Sequence, residues 1–290
     1  MTSAARLRQL LAEGEFLTAP TAFDPLSALL AERAGFPLCY IGGYVVGAHL
    51  GCGEPLLTAS EMVEAAGRIA NAVRIPTIAD AGAGFGGLPH TVRTIRDFER
   101  AGVAGVHIED QVVPKRVGYH RGEVHVVPRD EMRHKLRFAL EARDSADFVV
   151  IARTDARRAV NGSLEETLRR IRMYVELEAD LILAFPADAE EAARFAEAAP
   201  GRMVYVAPEG RSTRPNLPAS ELKALGYRML VHSEGSLLTA ASALRDYYRD
   251  LRARPDTTPQ AERAFAAERA SVENALGLVD LFALEDLEPL

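Results

Sequence analysis

The feature that most constrains the fold of this chain is a regular alternation of short apolar runs, rich in β-branched residues, with longer segments of helical periodicity. The apolar runs, interpreted as strands, cover residues 16–20, 38–42, 76–80, 104–109, 148–153, 180–185, 203–207 and 228–232. The amphipathic segments that follow them cover residues 24–34, 60–73, 90–102, 129–144, 163–178, 188–198, 218–225 and 236–252. This alternation predicts parallel strands joined by right-handed crossovers, and eight such units predict a closed (β/α)8 TIM barrel of the α/β class.

The ends of the helical segments carry residues that favour these boundaries. Asp24, Ser60 and Ser163 precede or open their segments and are candidate N-caps. Gly35 and Gly102 follow the ends of two segments, where a left-handed residue terminates a helix. The capping pattern therefore supports the same set of helices as the periodicity.

The domain organisation predicted from this pattern is one barrel followed by a tail. Residues 1–252 contain all eight units, and residues 253–290 begin with a linker rich in Pro and Thr. An Ala-rich helix at about 260–278 and a short apolar segment follow this linker. Their apolar face must pack on the barrel or on another subunit. A closed barrel is preferred to an open nucleotide-binding sheet because the first strand is followed by Thr-Ala-Phe-Asp-Pro and not by a glycine-rich loop.

Composition excludes several classes of function. The net charge is −7, from 41 acidic and 34 basic side chains, which disfavours nucleic acid as the main partner. No stretch approaches the roughly 20 apolar residues that cross a bilayer, so we expect no membrane association and a cytoplasmic protein. The two cysteines, Cys39 and Cys52, form no CxxC pair, so a thiolate metal site is not expected.

Several chemically active side chains follow the predicted strands. In a (β/α)8 barrel these positions converge on one bowl at the carboxyl ends of the strands. They include Gly43, Tyr44, Asp80, Glu109, Arg153, Phe185, Glu209 and His232. Asp80 and Glu109 end adjacent strands, and two carboxylates without a thiol or imidazole suit Mg²⁺, with Mn²⁺ as an alternative. Arg153 ends the next strand and can bind a substrate carboxylate or a developing oxyanion. The alternative interpretation is a ring of salt bridges that closes the barrel mouth.

The segment 109–122 is long, polar and basic, and it contains two glycines. These properties predict a lid that excludes water when substrate binds. Lys115, Arg116 and Arg121 can meet an anionic substrate, whereas a solvated basic loop is the alternative. The glycine-rich stretch 82–87 lets backbone approach a ligand closely but lacks the ending of a phosphate loop.

Two motifs carry a more specific resemblance. Ile-Glu-Asp-Gln-Val-x-Pro-Lys-Arg at 108–116 and Val-Ile-Ala-Arg-Thr-Asp-Ala at 150–156 resemble the isocitrate lyase and phosphoenolpyruvate mutase superfamily. The pattern is most similar to the methylisocitrate lyase and carboxyphosphonoenolpyruvate mutase branch. The segments 21–28 and 221–227 fit as well. The resemblance implies Mg²⁺ dependence, a small 2-oxo or 2-hydroxy acid substrate and an enolate intermediate. It also implies a homo-oligomer, usually a tetramer, in which partners exchange their last helices.

The resemblance assigns roles to particular residues. Asp80 matches the direct metal ligand of the family, and Glu109 matches its water-mediated ligand. Arg153 matches the active-site arginine, and Glu209 falls near an acidic loop position. Gly43 and the residue after it stand where the family has a substrate-binding Ser-Gly pair.

Several family positions are replaced. The second loop aspartate is Gly82, and a glutamate at the end of strand six is Phe185. The lid cysteine, which is the general acid of the lyases, is Val117, and the lid histidine is Tyr119 with His120 next to it. Because a valine cannot transfer a proton, Tyr119 or His120 must take this role if the lyase step is retained.

The site predicted from the sequence therefore has three groups of residues. Asp80 and Glu109 are the predicted metal ligands. The predicted catalytic residues are Lys115, Tyr119, His120 and Arg153. The predicted substrate-binding residues are Gly43, Tyr44, Arg116, Gly118, Phe185, Glu209 and His232. Tyr44 and Phe185 are expected to make the bowl bulkier and more apolar, which suits a substrate with an alkyl or aromatic portion, as in a specialised biosynthetic pathway.

Three functions fit these residues. The first is a Mg²⁺-dependent lyase that makes or breaks a carbon–carbon bond of a small 2-oxo or 2-hydroxy carboxylic acid through a metal-bound enolate. The second is a phosphonate-forming mutase, which needs no lid cysteine. The third is a barrel that has lost catalysis and acts as a binding or scaffold subunit. Loss of metal affinity would distinguish the third function from the other two.

Overall fold

The computed structural model describes residues 1–210, 214–256 and 259–287, with the side chains of 259–261 left aside. It contains the eight predicted strands: β1 Leu17–Pro20, β2 Cys39–Ile41, β3 Thr77–Asp80, β4 Gly105–Glu109, β5 Val149–Thr154, β6 Leu181–Ala184, β7 Met203–Val206 and β8 Met229–His232. All neighbouring strands pair in parallel, in the order β1-β8-β7-β6-β5-β4-β3-β2. A parallel bridge between Thr21 and Tyr40 joins the two edges, so the predicted TIM barrel is confirmed.

Helices surround the strands. The described residues form α1 Ser3–Ala12, α2 Pro25–Arg33, α3 Gly43–His49, α4 Ala59–Ala70, α5 Leu88–Arg100, α6 Arg129–Glu141, α7 Leu164–Glu176, α8 Ala189–Ala198, α9 Ala219–Ala224, α10 Gly235–Ala253, α11 Pro259–Ala275 and α12 Leu278–Glu285. Each of the eight predicted barrel helices is present, and no end is shifted by more than three residues. The short helix α3, directly after β2, was not predicted.

Two layers of apolar side chains hold the barrel together. The inner layer fills the barrel and includes Ile78, Ile151 and Val204, while Leu7 of α1 joins it from the amino-terminal end of the strands. The outer layer, which includes Phe98, lies between the strands and the helices. Burial of each large apolar side chain contributes about 1.5–3 kcal/mol, so the core fixes the strand ends that carry the polar residues.

The helix caps follow the sequence with one correction. Asp24 and Ser163 cap α2 and α7 as predicted. Ser60 is not a cap, because Thr58 begins α4 with a capping box. Its hydroxyl accepts a hydrogen bond from the Glu61 N–H at 3.3 Å, and the Glu61 carboxylate accepts one from the Thr58 N–H at 2.9 Å. The box requires a Ser or Thr three residues before the glutamate, and Thr58 alone has that spacing.

The last three helices project apolar side chains away from the barrel. In α10 through α12 the exposed large side chains are Leu238, Leu244, Tyr247, Tyr248, Leu251, Phe265, Val279, Leu281, Phe282 and Leu284. The tail touches the barrel near the end of α11, where Arg33 of α2 donates a hydrogen bond to the Asn274 side chain at 2.9 Å. α10 ends at Ala253, one residue beyond the predicted boundary.

Two expectations from composition concern membranes and cysteines. Across the described ranges, none of the helices is both long and apolar enough to cross a bilayer. Cys39 and Cys52 are free; Cys39 is buried and Cys52 is partly exposed.

Candidate functional site

The carboxyl ends of β3, β4 and β5 bring the central polar residues together. Asp80 is the last residue of β3 and Glu109 the last residue of β4. The register pairs Glu109 directly with Arg153 of β5 and Asp80 with His107 of β4. The barrel closure therefore places the three residues predicted for the metal and the substrate on adjacent strand ends.

Buried ion pairs connect these strand ends to the lid. Arg153 Nη2 lies 3.1 Å from one oxygen of Glu109, and Lys115 Nζ lies 3.1 Å from the other. Lys115 also contacts Glu54 at 2.5 Å, and Arg153 Nε donates a hydrogen bond to Asp155 at 2.9 Å. The side chain of Glu109 is fully buried and that of Lys115 is 11% exposed. Because truncating one partner of such a network leaves a buried charge, the pairs hold one another in place.

Burial and the neighbouring charges act in opposite directions on the pKa of each group in this network. Burial raises the pKa of Glu109 to about 7, although Arg153 and Lys115 oppose the rise. Burial would lower the pKa of Lys115, but Glu109 and Glu54 raise it above the ordinary value. Lys115 is therefore a fixed cation at neutral pH, whereas Glu109 lies near its titration point.

Asp80 is held as an anion at the edge of this network. Its carboxylate accepts hydrogen bonds from the Gly82 N–H at 2.7 Å and the Gly43 N–H at 3.2 Å. Burial would raise its pKa, whereas the adjacent His107 and the charge of Lys115 lower it, to about 2. His107 contacts the Tyr40 hydroxyl at 2.7 Å, and burial lowers its pKa to about 4. This histidine is thus a buried residue of the barrel interior.

The donor set fits a hard divalent cation held mainly through water. Asp80 and Glu54 both line the cavity beside the strand ends, and the two buried oxygens of Glu109 form ion pairs with Lys115 and Arg153 but accept no hydrogen bond of good geometry. Carboxylate oxygens suit Mg²⁺, which keeps several waters in its coordination shell. Within the described residues, no group of three or more His, Cys, Asp or Glu side chains is arranged to hold a metal ion directly. The roles of Asp80 and Glu109 as metal ligands therefore stay predictions.

The lid folds over the bowl through two of its side chains. Residues Val117–Arg121 form a 3-10 turn. The Tyr119 hydroxyl accepts hydrogen bonds from Arg153 Nη2 and Arg158 Nη2, each at 3.5 Å. Lys115 Nζ lies 4.4 Å from the centre of the Tyr119 ring. Lys115 and Tyr119 thus lie against the strand ends, and their catalytic roles stay predictions.

Other predicted lid residues lie on its outer side. Arg116 and Gly118 line a groove that they share with Glu123 and do not line the cavities at the strand ends. His120 is exposed, and its ring centre lies 6.0 Å from that of Tyr44. The structure therefore separates these three lid residues from Asp80.

Glu209 and His232 form a pair beside the bowl. One carboxylate oxygen of Glu209 accepts hydrogen bonds from the Glu234 and Gly235 N–H groups at 2.7 and 2.8 Å, at the start of α10. The other oxygen lies 3.0 Å from His232 Nδ1. This carboxylate stabilises the positive end of the helix. Neither residue lines the two cavities, and their roles in substrate binding stay predictions.

Phe185 is surrounded by guanidinium groups. The guanidinium carbons of Arg158, Arg214 and Arg153 lie 4.0, 5.0 and 5.1 Å from the ring centre. Arg158 also forms an ion pair with Asp155. Such contacts between cations and an aromatic face are favourable when partly desolvated. The ring therefore orders the arginines, and the apolar surface expected at Phe185 is covered by them.

Two cavities open at the strand ends and share Gly43, Glu54 and Asp80. The larger has a volume of about 320 Å³ and is also lined by Pro55, Leu57, Thr58, Ala59, Met62, Gly82, Ala83, Phe85, Val113, Pro114 and Lys115. The smaller, of about 50 Å³, is also lined by Tyr40, Gly42, Tyr44, Tyr119, Arg153, Arg158, Leu183, Phe185, Val206, Arg214, Ser233 and Glu234. The predicted site residues Gly43, Tyr44, Asp80, Lys115, Tyr119, Arg153 and Phe185 all line one or both cavities.

Known proteins with this sequence pattern identify the family. A family model described as phosphoenolpyruvate phosphomutase matches residues 7–252. The chain belongs to the isocitrate lyase and phosphoenolpyruvate mutase superfamily. Within this superfamily, 2,3-dimethylmalate lyase from Eubacterium barkeri is 39% identical over 261 residues, which cover 89% of each chain.

Solved structures of the superfamily match the whole fold. Oxaloacetate acetylhydrolase superposes with a TM-score of 0.86 at 30% identity and covers 98% of both chains. A phosphonopyruvate hydrolase in complex with oxalate and Mg²⁺ gives a TM-score of 0.77 at 29% identity, covering 94% of this chain and 99% of the other. Members of the superfamily are lyases and mutases that act on small carboxylic acids, and this chain is an enzyme of that superfamily.

Proposed function

We propose that this protein is a Mg²⁺-dependent lyase that makes or breaks a carbon–carbon bond of a small 2-oxo or 2-hydroxy carboxylic acid through an enolate. The observation that carries the proposal is the arrangement of anionic Asp80 beside the cations Lys115 and Arg153, all lining the cavities at the strand ends. The Asp80 carboxylate can bind a divalent cation. The cations Lys115 and Arg153 can bind a substrate carboxylate and stabilise a developing enolate.

The metal site would be built mainly on Asp80. This residue would contact the ion directly, while Glu109 and Glu54 would contact its waters. When bound, Mg²⁺, or Mn²⁺ in its place, supplies a Lewis acid that favours the enolate form of the substrate. The structure of the related phosphonopyruvate hydrolase in complex with oxalate and Mg²⁺ supports this assignment, because oxalate resembles the enolate of pyruvate.

The protein side chains would bind the substrate and move its proton. Arg153 is held by Glu109 and Asp155, so its guanidinium is oriented before substrate arrives. Tyr119 Oη lies against Arg153 in the smaller cavity, whereas the Val117 side chain is 63% exposed. We therefore propose that the Tyr119 hydroxyl donates the proton that the lid cysteine donates in the lyases of the family. Lys115 would balance the negative charge of the substrate carboxylate.

A phosphonate-forming mutase is the second candidate. The observation that favours it is the cluster of Arg153, Arg158 and Arg214 around the smaller cavity, because guanidinium groups bind phosphonate oxygens as forked pairs. Carboxyvinyl-carboxyphosphonate phosphorylmutase of Arabidopsis thaliana, which is 34% identical over 289 residues, belongs to the same superfamily.

The test is a calorimetric titration with oxalate in the presence and absence of Mg²⁺. We expect binding only with Mg²⁺, and we expect Asp80→Asn to weaken it at least about 100-fold, because a direct charged ligand is lost. Asp144→Asn, at an exposed position after α6, is the matched control and should bind like the wild type. Absence of oxalate binding to the wild type under both conditions would contradict the metal–enolate proposal.

A further inference from the structure

The larger cavity is lined by two chemically different groups of residues. Asp80, Glu54 and Lys115 belong to the polar network. Leu57, Met62, Ala83, Phe85 and Pro114 form an apolar lining, which comes from α4 and the segment before it, the loop after β3 and the lid. A ligand that fills the cavity must therefore join a charged group to a hydrocarbon group.

Gly82 leaves this cavity open beside Asp80. Its φ of +50° is in the left-handed region, and a Cβ placed there would meet only the Phe85 ring edge, at 4.0 Å. The resemblance leads us to expect an aspartate at this position, and its carboxylate would project next to the apolar wall. With glycine, no side chain extends from this position toward Phe85.

The smaller cavity cannot receive a hydrocarbon group in the same way. Its volume is about 50 Å³, and Arg153, Arg158 and Arg214 line it. An alkyl group placed against these guanidinium groups would remove water from them without a compensating hydrogen bond, and the volume is too small for a phenyl ring. The larger cavity, at about 320 Å³, exceeds the roughly 150 Å³ apolar cavity that accommodates benzene.

We propose that the natural substrate carries a branched alkyl or phenyl arm that lies against the apolar lining of the larger cavity. The inference rests on the proposed function, since it places the acid group of the same substrate near Asp80 and Lys115. It assigns the substrate class as a 2-oxo or 2-hydroxy acid with a hydrocarbon arm. Met62 and Phe85 then become residues that determine specificity.

The experiment compares ligands with and without an arm in the presence of Mg²⁺. Calorimetry would measure the Kd of oxalate, pyruvate, 3-methyl-2-oxobutanoate, 4-methyl-2-oxopentanoate and phenylpyruvate. Each buried methylene should tighten binding about fourfold, so the 2-oxo acids with the longest arms should bind more than about tenfold better than pyruvate.

Two variants test where the arm lies. Ala59→Phe fills the cavity from the first turn of α4 and should weaken phenylpyruvate at least about tenfold while oxalate binding stays unchanged. Leu57→Trp enlarges a neighbouring side chain of the same cavity lining and should act in the same direction. Ala224→Phe, at an exposed position at the end of α9, is the matched control.

The outcomes separate the two proposals. If both cavity variants bind the ligands with an arm more weakly and bind oxalate unchanged, the assigned substrate class is supported. Equal affinity of the wild type for pyruvate and phenylpyruvate, with oxalate still bound, overturns the inference and leaves the lyase proposal intact. An equal loss of oxalate and phenylpyruvate in both variants also overturns the placement of the arm. Failure of the wild type to bind oxalate overturns the lyase proposal and the inference together.

Discussion

Val117 and Tyr119 are two residues apart on the lid, but their side chains point in different directions. The Val117 side chain is directed to solvent, whereas the Tyr119 hydroxyl contacts two guanidinium groups. His120 is exposed next to it. A proton donor for an enolate must lie within hydrogen-bond reach of the reacting carbon or of one water. Of the two candidates from the sequence, Tyr119 is the one that the lid directs inward.

We therefore predict that Tyr119→Phe slows proton transfer at C3 of a bound 2-oxo acid by at least about 100-fold. The measurement is the rate of deuterium incorporation at C3 of pyruvate in D₂O with Mg²⁺, followed by NMR. His120→Ala is the matched control and should keep the wild-type rate. If His120→Ala slowed the deuterium incorporation and Tyr119→Phe did not, His120 would be the proton donor instead.

The residues that the sequence located are those that directly follow strands. Asp80, Glu109 and Arg153 end apolar runs, and the barrel rule brings such positions together. Glu54 and Arg158 were missed because they lie on loops that return to the site, and no periodicity marks a returning loop. The signal for Arg158 was its position three residues after Asp155 and two residues beyond the end of the motif at 150–156.

At the scale of elements, the pair of Glu209 and His232 ties the loop after β7 to the start of α10. The Glu209 hydrogen bond raises the pKa of His232 despite partial burial. Burial would raise the pKa of Glu209, but His232 and the Glu234 and Gly235 N–H groups lower it. The pKa of His232 is raised and that of Glu209 is lowered. The His232 shift therefore sets the upper pH limit of the stabilisation, and the Glu209 shift sets the lower limit.

The raised pKa of His232 means that its contribution is complete below the unfolded value of about 6.5 and is lost as the pH rises through the folded pKa. The lowered pKa of Glu209 means that its contribution is complete above the unfolded value of about 4.3 and is lost as the pH falls through the folded pKa. The pair therefore stabilises α10 most between about pH 4.3 and 6.5.

We predict that His232→Gln lowers the Tm relative to the wild type more at about pH 5.5 than at about pH 8.5. The His232 side chain is 43% exposed, so solvent screens the pair, and a difference of about 1–2 °C is expected. Thermal unfolding followed by circular dichroism measures it, with His134→Gln on the exposed face of α6 as the control. A larger loss at pH 8.5 would reverse the assigned sign.

Elements with strong periodicity were predictable, and short irregular ones were not. The strands and barrel helices have apolar residues at regular spacing. α3 has only seven residues and lies in a stretch rich in glycine, so neither its length nor its composition distinguishes it from a loop. Thr58 was passed over as a cap because Ser60 lies closer to the apolar run.

At the scale of the whole molecule, the tail of a single chain leaves apolar side chains uncovered. Tyr247, Tyr248, Leu244 and Phe265 are 45–60% exposed on α10 and α11. Contiguous exposure of this kind marks an interface. We propose a homo-oligomer, a dimer or tetramer, in which partners exchange these helices and cover one another's apolar faces. The geometry of this exchange could not be predicted from one sequence, because it depends on a second copy of the chain.

We predict that the wild type, at 31.5 kDa per chain, has the mass of a dimer or tetramer in solution. Light scattering after size-exclusion chromatography measures this mass. The double variant Leu244→Lys and Tyr248→Lys should dissociate, because two charges would be buried without partners. Ala224→Lys on α9 is the control and should keep the wild-type mass. A monomeric wild type at micromolar concentration would contradict the exchange.

The lid contact made by Lys115 has a consequence for which molecules are admitted. In the closed arrangement the ammonium group is shared by Glu54 and Glu109, so lifting the lid separates a buried cation from two carboxylates. An incoming anion can take the place of those carboxylates, and admission becomes an exchange of one negative partner for another. An ester or amide of the same acid is neutral and cannot replace the carboxylates as the ionic partner of Lys115. Discrimination between ionised and neutral molecules would thus begin before any contact with the reacting atoms.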